Sequence, residues 1–218
     1  EFYLRLSDAI REPGFDCSTF AVIGTAAAAA RLMKLSPEQT SHAIAMAAVG
    51  NNILKQVRTG HLSMWKAVAA GHAGRAGVFS AIMASEGIDG PHLPFAGKHG
   101  WCQHVSGEFT LAPLGGSGGA GFKIEDTLIK QRSSCATTIS SILAAEKASP
   151  SLRGRVDAVK KVTVEVYDTA KKNMGTGEHH WNPQQRETAD HSIPYVVTVA
   201  LMDGTVTPRQ FNDAHLWD

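Results

Sequence analysis

The stretch from residue 18 to residue 87 is unusually rich in alanine and glycine, and this feature constrains the fold most strongly. Alanine is the best helix former, so the stretch predicts successive helices. Small side chains also allow two helices to approach closely, because the distance between packed helix axes depends on the side chains at the contact. The sequence therefore predicts a tightly packed helical layer in the first half of the chain.

Cap and stop signals delimit three helices in this stretch. The first is expected over residues 18–35, after a Ser or Thr cap. The second follows Ser36–Gln39, which offers a Ser cap, Pro at the first helical position and Gln three residues after the cap; it should stop at Gly50. The third is expected over residues 63–86, with Gly87 as its C-terminal stop.

The second half of the chain has a different character. Residues 88–121 are rich in turn-forming Gly and Pro and predict a long loop. Helices are expected over residues 137–147 and 190–202. Between them, valines alternate with polar residues over 159–167, which is the period-two pattern of a half-buried β-strand.

This change places a domain boundary near residue 125. We predict a mainly α protein with an α+β part, in which residues 1–125 form part of an all-helical domain and residues 126–218 form part of a smaller α+β domain. The sequence has no initiator Met. We therefore expect the chain to begin inside a longer protein and both domains to be truncated.

Composition argues against several classes of function. The formal net charge is +1, and the basic residues are neither clustered nor interleaved with aromatic residues, so nucleic-acid binding is not expected. No apolar run reaches the roughly 18–20 residues that span a membrane, and the first residues lack a signal-peptide pattern. The three cysteines have no paired short spacings, so we expect reduced thiols, a cytoplasmic location and no metal site.

Three stretches of the sequence together resemble the MmgE/PrpD family, and the resemblance covers essentially the whole chain. The first is Met64–Val78, which continues through Glu86–Gly100. The second is Lys130 with its short segment before the helix predicted at 137. The third, Trp181–Val197, is the most specific, because its run Arg-Glu-Thr-Ala-Asp-His-Ser-Ile-Pro-Tyr is long and compositionally unusual.

The resemblance implies a large all-helical domain made from both chain ends, with a smaller α+β lid domain between them. It also implies a homodimer, and an enzyme without metal or organic cofactor that acts on small polycarboxylates. The expected reaction is removal of water from 2-methylcitrate, as in the methylcitrate cycle of propionate catabolism. The alternatives are a cis-aconitate decarboxylase or a diacid epimerase of the same family, or a catalytically inactive module with a structural role.

The sequence departs from the family pattern in four places. The segment that contributes a catalytic His in the family would precede Glu1, and the return to the helical domain would follow Asp218. Asp16 and Cys135 stand where some members have His, which disfavours the decarboxylase alternative. We therefore expect the 218 residues alone to bind polycarboxylates weakly and to turn over none of them.

Dehydration of a hydroxy-tricarboxylate needs a base, an acid, and cations that neutralise the carboxylates. Lys66 is a candidate catalytic residue because its helical neighbours are otherwise apolar; the alternative is that its ammonium reaches solvent. His72 and Arg75 are candidates for substrate binding. They share one face of the predicted helix, and Arg75 falls roughly opposite Lys66.

Lys130, Arg186 and His191 complete the candidate site that the resemblance implies. Lys130 and His191 are assigned to catalysis, since His can shuttle a proton near neutral pH. Arg186 is assigned to substrate binding, since a guanidinium can hold a carboxylate through two hydrogen bonds. The structural alternatives are a solvated helix-end cation for Lys130, and for His191 a place beside Asp190 acting as a helix cap.

The adjacent His179 and His180 do not predict a metal site. Neighbouring imidazoles are expected to point apart, and no further ligands stand at suitable spacing. A pair of histidines in a surface loop is the preferred interpretation.

Overall fold

The computed structural model describes residues 1–6, 14–116 and 121–217. Within these residues no β-strand is present, and β-pairing is confined to one isolated antiparallel bridge between Phe15 and Leu54. The chain is therefore mainly α, as predicted. The α-helices are α1 (Phe2–Leu6), α2 (Ser18–Leu32), α3 (Pro37–Gly50), α4 (Trp65–Ser85), α5 (Ile139–Ala148), α6 (Asp168–Met174), α7 (Glu178–Trp181), α8 (Arg186–Ala189), α9 (Ile193–Asp203) and α10 (Asp213–Leu216).

The chain divides into two compact units. The first comprises residues 1–59 and 64–127, and the second comprises residues 60–63 and 128–218. In the first unit α2, α3 and α4 pack against one another, and in the second α5 packs against α9. None of the helices in the described ranges is both long and apolar enough to cross a membrane.

The capping box predicted for α3 is formed, whereas the Ser or Thr cap expected for α2 is not, because the N-cap of α2 is Cys17 and it makes no side-chain cap hydrogen bond. Ser36 Oγ accepts the Gln39 N–H at 3.1 Å, and the Gln39 side-chain oxygen accepts the Ser36 N–H at 3.1 Å. This reciprocal pair satisfies two backbone donors at the start of α3. Just after the C-terminal end of α4, Gly87 has a φ of +88°, a conformation that a residue without Cβ adopts at no steric cost.

α2 and α4 are in close contact at Gly77. A Cβ atom at this position would lie 2.6 Å from Val22 O and 2.7 Å from Thr25 Cβ. The small residues predicted to allow close helix packing therefore do so here. The buried residues around the contacts between α2, α3 and α4 are mostly alanines: Val22, Ala26, Ala30, Ala43, Ala47, Ala73, Ala76, Ala81 and Ala84.

The predicted strand over residues 159–167 is not formed, so the α+β character expected for the second domain is not confirmed. The segment lies beside α5 and α9, where it lines a cavity of about 330 Å³. Val162 and Val164 are 50% and 37% exposed, while Val166 packs against the core of the second unit. Alternation favours an extended backbone, but a strand also requires a neighbouring strand to complete its hydrogen bonds.

The predicted loop over residues 88–121 contains local order. Residues Cys102–Ser106 form a single turn of π-helix. Trp101 is buried, and its indole N–H donates to Asn52 Oδ1 at 2.9 Å. Of the Gly-rich run 115–121, residues 117–120 lie outside the described residues.

Candidate functional site

The connection between α8 and α9 carries the central residues of the candidate site. Asp190 follows the last residue of α8, and His191 precedes Ser192, the N-cap of α9. Ser192 Oγ accepts the Tyr195 N–H at 3.0 Å and donates to the His180 carbonyl. The structural alternative in which Asp190 caps the helix is therefore wrong, because Ser192 has that role. The Asp190 carboxylate is left available for another contact.

That contact is a hydrogen bond between Asp190 Oδ1 and His191 Nδ1. The two side chains are 26% and 20% exposed, so the pair is partly shielded but reachable from solvent. A carboxylate on Nδ1 fixes the ring orientation and stabilises the imidazolium when it forms. Nε2 is then the ring nitrogen that can take or return a proton.

Cys135 lies beside this pair. Its backbone N–H donates to Asp190 O at 3.0 Å, and Ser134 Oγ donates to the same carbonyl at 2.7 Å. Burial favours the neutral thiol, but a hydrogen bond and charge from His191, with a smaller contribution from Thr137, lower the pKa of the Cys135 thiol below its usual value. The thiol is half-buried and free.

Lys130 is joined to the same segment. Its Nζ donates to Ser134 O at 2.9 Å, and the residue lines a cavity of about 620 Å³ with Arg132 and Thr207. Arg132 is occupied by Glu146 through two hydrogen bonds of 2.7 and 2.6 Å. Because Arg132 is already neutralised, Lys130 carries the positive charge of this cavity that remains for an anionic ligand.

Arg186, the first residue of α8, is exposed. It lies four residues before Asp190, about one helical turn, which places it on the same side of this short segment. Lys130, Arg186 and His191 all lie in the second unit, and Lys130 is linked to His191 through the segment of Ser134. The proximity of Lys130 and His191 depends on the contacts of Ser134 and Cys135 with Asp190 O.

His179 and His180 form part of an imidazole cluster. Their ring centroids are 4.0 Å apart, and His61 lies 5.3 Å from His179. His180 is buried and its Nδ1 contacts Thr176 O at 2.5 Å. The expectations of a surface loop and of imidazoles that point apart are therefore wrong: the residues lie in α7. Across the described chain, no group of three or more His, Cys, Asp or Glu side chains is placed to hold a metal ion.

The remaining candidates lie on α4 in the first unit. Lys66 is half-buried, and the helical repeat places it on the side that carries the buried Ala69 and Ala73. Arg75 is exposed and lies on the opposite side with the half-buried His72. The structure therefore separates Lys66 from His72 and Arg75, and the assignment of these two to substrate stays a prediction.

Asp16 forms a buried ion pair that the sequence did not indicate. Its Oδ2 accepts from Arg58 Nε at 2.6 Å, and its Oδ1 accepts the Ser18 N–H at 3.0 Å. Burial opposes ionisation, but the Ser18 and Arg58 donors outweigh it and hold the pKa of Asp16 below its usual value. Asp16 is therefore an ionised residue that anchors the start of α2 to the segment Lys55–Arg58.

A cavity of about 920 Å³ in the first unit has the wrong chemistry for a polycarboxylate. Its lining is mainly apolar, from Phe2, Ile23 and Phe109, and its charged residues are Glu1 and Glu108. Glu1 is already paired with Arg5, Glu108 repels an anionic ligand, and the described lining contributes no cation. We therefore place the candidate site in the second unit, at the cluster of Lys130, Cys135, Asp190 and His191.

The sequence predicts site roles for Lys130, Arg186 and His191, which stay predictions, and it suggests none for Cys135 or for the Asp190 carboxylate. Cys135 precedes the helical run of residues 136–148, a position from which a thiol meets the backbone N–H groups of a helix start. The position of Cys135 at a helix start can be predicted from the sequence, since Ser, Cys and Thr precede an apolar helical pattern. The contact between Cys135 and Asp190 cannot be predicted in this way, because the two residues are 55 positions apart.

A mainly α chain with a carboxylate-oriented imidazole and a lysine in the same unit has the groups that proton transfer requires. Residues 2–114 match the MmgE/PrpD N-terminal domain, and residues 133–218 match the MmgE/PrpD C-terminal domain. The chain belongs to the MmgE/PrpD family. It is thereby placed among dehydratase-like and related enzymes.

Proposed function

We propose that this protein is a hydro-lyase that removes water from 2-methylcitrate or a related polycarboxylate, by acid–base catalysis without a cofactor. The observation that carries the proposal is the His191 imidazole, oriented by Asp190 in the same unit as Lys130. Family membership supplies the reaction class. The three free thiols support a reducing, cytoplasmic location.

In the proposed mechanism His191 is the base. Nε2 takes a proton from the carbon next to a substrate carboxylate, and the Asp190 carboxylate stabilises the imidazolium that forms. Arg186 holds a carboxylate, which lowers the energy of the carbanion developing beside it. The Lys130 ammonium has three N–H donors; one donates to Ser134 O, and another protonates the departing hydroxyl.

We propose Lys66 as a second substrate-binding cation on separate grounds. Lys66 is half-buried in α4, its sequence neighbours are apolar, and it lies in the Met64–Val78 stretch that resembles the family. A lysine ammonium can form a charge-assisted hydrogen bond with a substrate carboxylate. Its assignment is tested by its own variant and does not depend on the roles of Lys130 and His191.

The test compares His191→Asn with His215→Asn. His215 is a matched control because it also forms a His–Asp pair in the second unit, with Nε2 3.0 Å from Asp203 Oδ2. Alkene formation from 2-methylcitrate is followed by absorbance, for the 218 residues and for the longest protein that their reading frame encodes. We expect His191→Asn to lower kcat about 10²–10⁴-fold and His215→Asn to leave it unchanged.

Two results would contradict the proposal. One is equal activity of His191→Asn and His215→Asn in a protein that is active before substitution. The other is the absence of alkene product from 2-methylcitrate, citrate and related acids in both proteins. Release of CO₂ from cis-aconitate, or inversion of a diacid centre, would instead identify the decarboxylase or epimerase alternative.

We also propose that the protein is a homodimer joined through the exposed face of α4. This face carries a continuous stripe formed by Trp65, Val68, His72, Arg75, Phe79 and Ile82. Its four apolar members are between 43% and 58% exposed. The Trp65 and His72 rings lie 5.4 Å apart, as expected for neighbours two turns apart on one face.

The spacing of these residues and their order of apolar and polar side chains are the same from either end of the stripe. A two-fold contact between identical surfaces requires such a pattern. When two copies of α4 cross antiparallel about the midpoint between His72 and Arg75, Trp65 faces Ile82 of the second copy. Val68 then faces Phe79, and His72 faces Arg75. Apolar residues thus meet apolar residues at both ends, and polar residues meet at the centre. A second copy of this chain therefore fits the surface.

A further inference from the structure

Cys135 is not needed for the proposed dehydration, yet it has the surroundings of a nucleophile. His191 lies within hydrogen-bonding reach of the thiol and is itself held by Asp190. Cys135 N and Ser134 Oγ are both anchored on Asp190 O, at 3.0 and 2.7 Å, so the thiol and the imidazole are fixed relative to each other. A thiol, an imidazole and a carboxylate in this order form an activated nucleophile.

The other two cysteines have opposite surroundings and provide an internal comparison. Cys17 is exposed, but burial of its sulfur and the neighbouring Asp16 carboxylate raise its pKa. Cys102 is buried, and burial raises the pKa of its thiol. Simple exposure therefore ranks Cys17 as the most reactive thiol, whereas thiolate formation ranks Cys135 first.

We propose that Cys135 is a nucleophilic site that forms a thioether with electron-poor alkenes bearing a carboxylate. The Cys135 sulfur attacks the alkene carbon β to the carboxylate, a C–S bond forms, and the π electrons move to the α carbon. The proton that left the thiol is held on His191 Nε2 and is then delivered to the α carbon. The adduct contains every atom of both reactants, and no oxidant or reductant is required.

The choice of an acidic alkene follows from charge and from the proposed function. Lys130 contacts the carbonyl of Ser134, the residue before Cys135, while the Asp190 carboxylate is engaged by His191. The neighbourhood thus favours an anion. This part of the inference rests on the proposed dehydration, whose product is an alkene conjugated to a carboxylate. The nucleophilicity of Cys135 does not rest on it.

The first experiment measures nucleophilicity alone. The intact chain is treated with limiting iodoacetamide, and alkylation at each of the three cysteines is followed by peptide mass spectrometry. We expect Cys135 to react at least about ten times faster than Cys17. Faster or equal reaction of the more exposed Cys17 would overturn the proposal, whatever the outcome of the dehydratase assay.

The second experiment uses His191→Asn, with Cys17 in the same molecule as a control for folding and reagent. We expect the rate at Cys135 to fall to that of the other thiols while the rate at Cys17 is unchanged. An unchanged Cys135 rate would show that His191 does not activate the thiol. If the variant does not fold, the comparison of the three cysteines in the unsubstituted protein still decides whether Cys135 is the most nucleophilic thiol.

The third experiment tests the class of ligand with monomethyl fumarate and the uncharged dimethyl fumarate as probes. Each rate at Cys135 is divided by the rate with the uncharged thiol N-acetylcysteine amide in the same buffer, which corrects for the different intrinsic reactivities of the two esters. We expect a higher ratio for the acid, and an adduct mass equal to the sum of the reactants. A lower or equal ratio for the acid would refute the preference for carboxylates. If the protein dehydrates 2-methylcitrate but shows no such preference, the proposed function stands and only the preference of Cys135 for alkenes with a carboxylate is rejected.

Discussion

Substitution of Gly77 by Ala tests the close packing of α2 on α4. A new Cβ would lie 2.6 Å from Val22 O and 2.9 Å from Ala26 N, and both are backbone atoms that cannot rotate away. An ordinary contact of 3.4 Å requires the two helices to separate by about 0.8 Å. Separation loses contacts along the whole alanine interface.

Gly74→Ala is the matched control, because Gly74 lies in the same helix and a Cβ there meets nothing within 4 Å. Both variants gain about 1 kcal/mol of helix propensity. We expect Gly74→Ala to raise the free energy of unfolding by about 0.5–1 kcal/mol, and Gly77→Ala to lower it by about 1–2 kcal/mol net of that gain.

Thermal and urea unfolding followed by circular dichroism measure the difference. At roughly 2–4 °C per kcal/mol for a chain of this size, the Tm of Gly77→Ala should fall below that of Gly74→Ala by about 3–12 °C. Equal Tm values for the two variants would show that Gly77 does not lie at a tight helix contact, and the α2–α4 packing described above would be wrong.

Three further predictions concern the first unit. Because the pKa of Asp16 is lower in the folded state, its ion pair with Arg58 contributes fully to stability above the usual pKa near 3.8, and this contribution is lost as pH falls through the folded-state pKa. Asp16→Asn should lower the free energy of unfolding by about 2 kcal/mol at pH 7, measured by urea unfolding, and should make stability less dependent on pH below pH 4. An unchanged pH dependence of stability below pH 4 would contradict this. Phe79→Glu should convert the dimer to a monomer, measured by light scattering, whereas Val78→Glu should leave the protein dimeric because Val78 lies about 100° around α4 from Phe79. A dimer in both variants would exclude the α4 interface. Lys66→Ala should lower kcat/KM at least 100-fold, about 3 kcal/mol, with a nearly unchanged Tm, and wild-type turnover would exclude a role of Lys66 in substrate binding.

The sequence predicted the helical elements well where the determining contacts are local. The capping box of Ser36 and Gln39 spans three residues, and the bounds of α3 follow from it. The alanine and glycine pattern likewise predicted close packing, which Gly77 provides. The contact between Ser36 and Gln39 joins neighbours along the chain, so their spacing carries the information. At Gly77 the small residues indicate that close packing is possible, but its partner Val22 in α2 is distant in sequence.

The strand over residues 159–167 and the full composition of the candidate site could not be predicted in this way. Alternating valines favour extended backbone, but sheet formation depends on a distant strand. Similarly, Cys135 reaches Asp190 through backbone contacts between segments that are distant in sequence. Asp190 contacts His191 because Ser192 takes the capping role, a choice between two suitable residues that local propensity does not decide.

The most direct test of the proposed function is identification of the product by NMR after incubation with 2-methylcitrate, citrate and cis-aconitate in parallel. We predict that 2-methylcitrate loses water to give an unsaturated tricarboxylate, that His191→Asn slows this conversion about 10²–10⁴-fold, and that no CO₂ is released from cis-aconitate. Decarboxylation of cis-aconitate with 2-methylcitrate unchanged would contradict the proposed reaction, and dehydration at the unsubstituted rate in His191→Asn would contradict the proposed base.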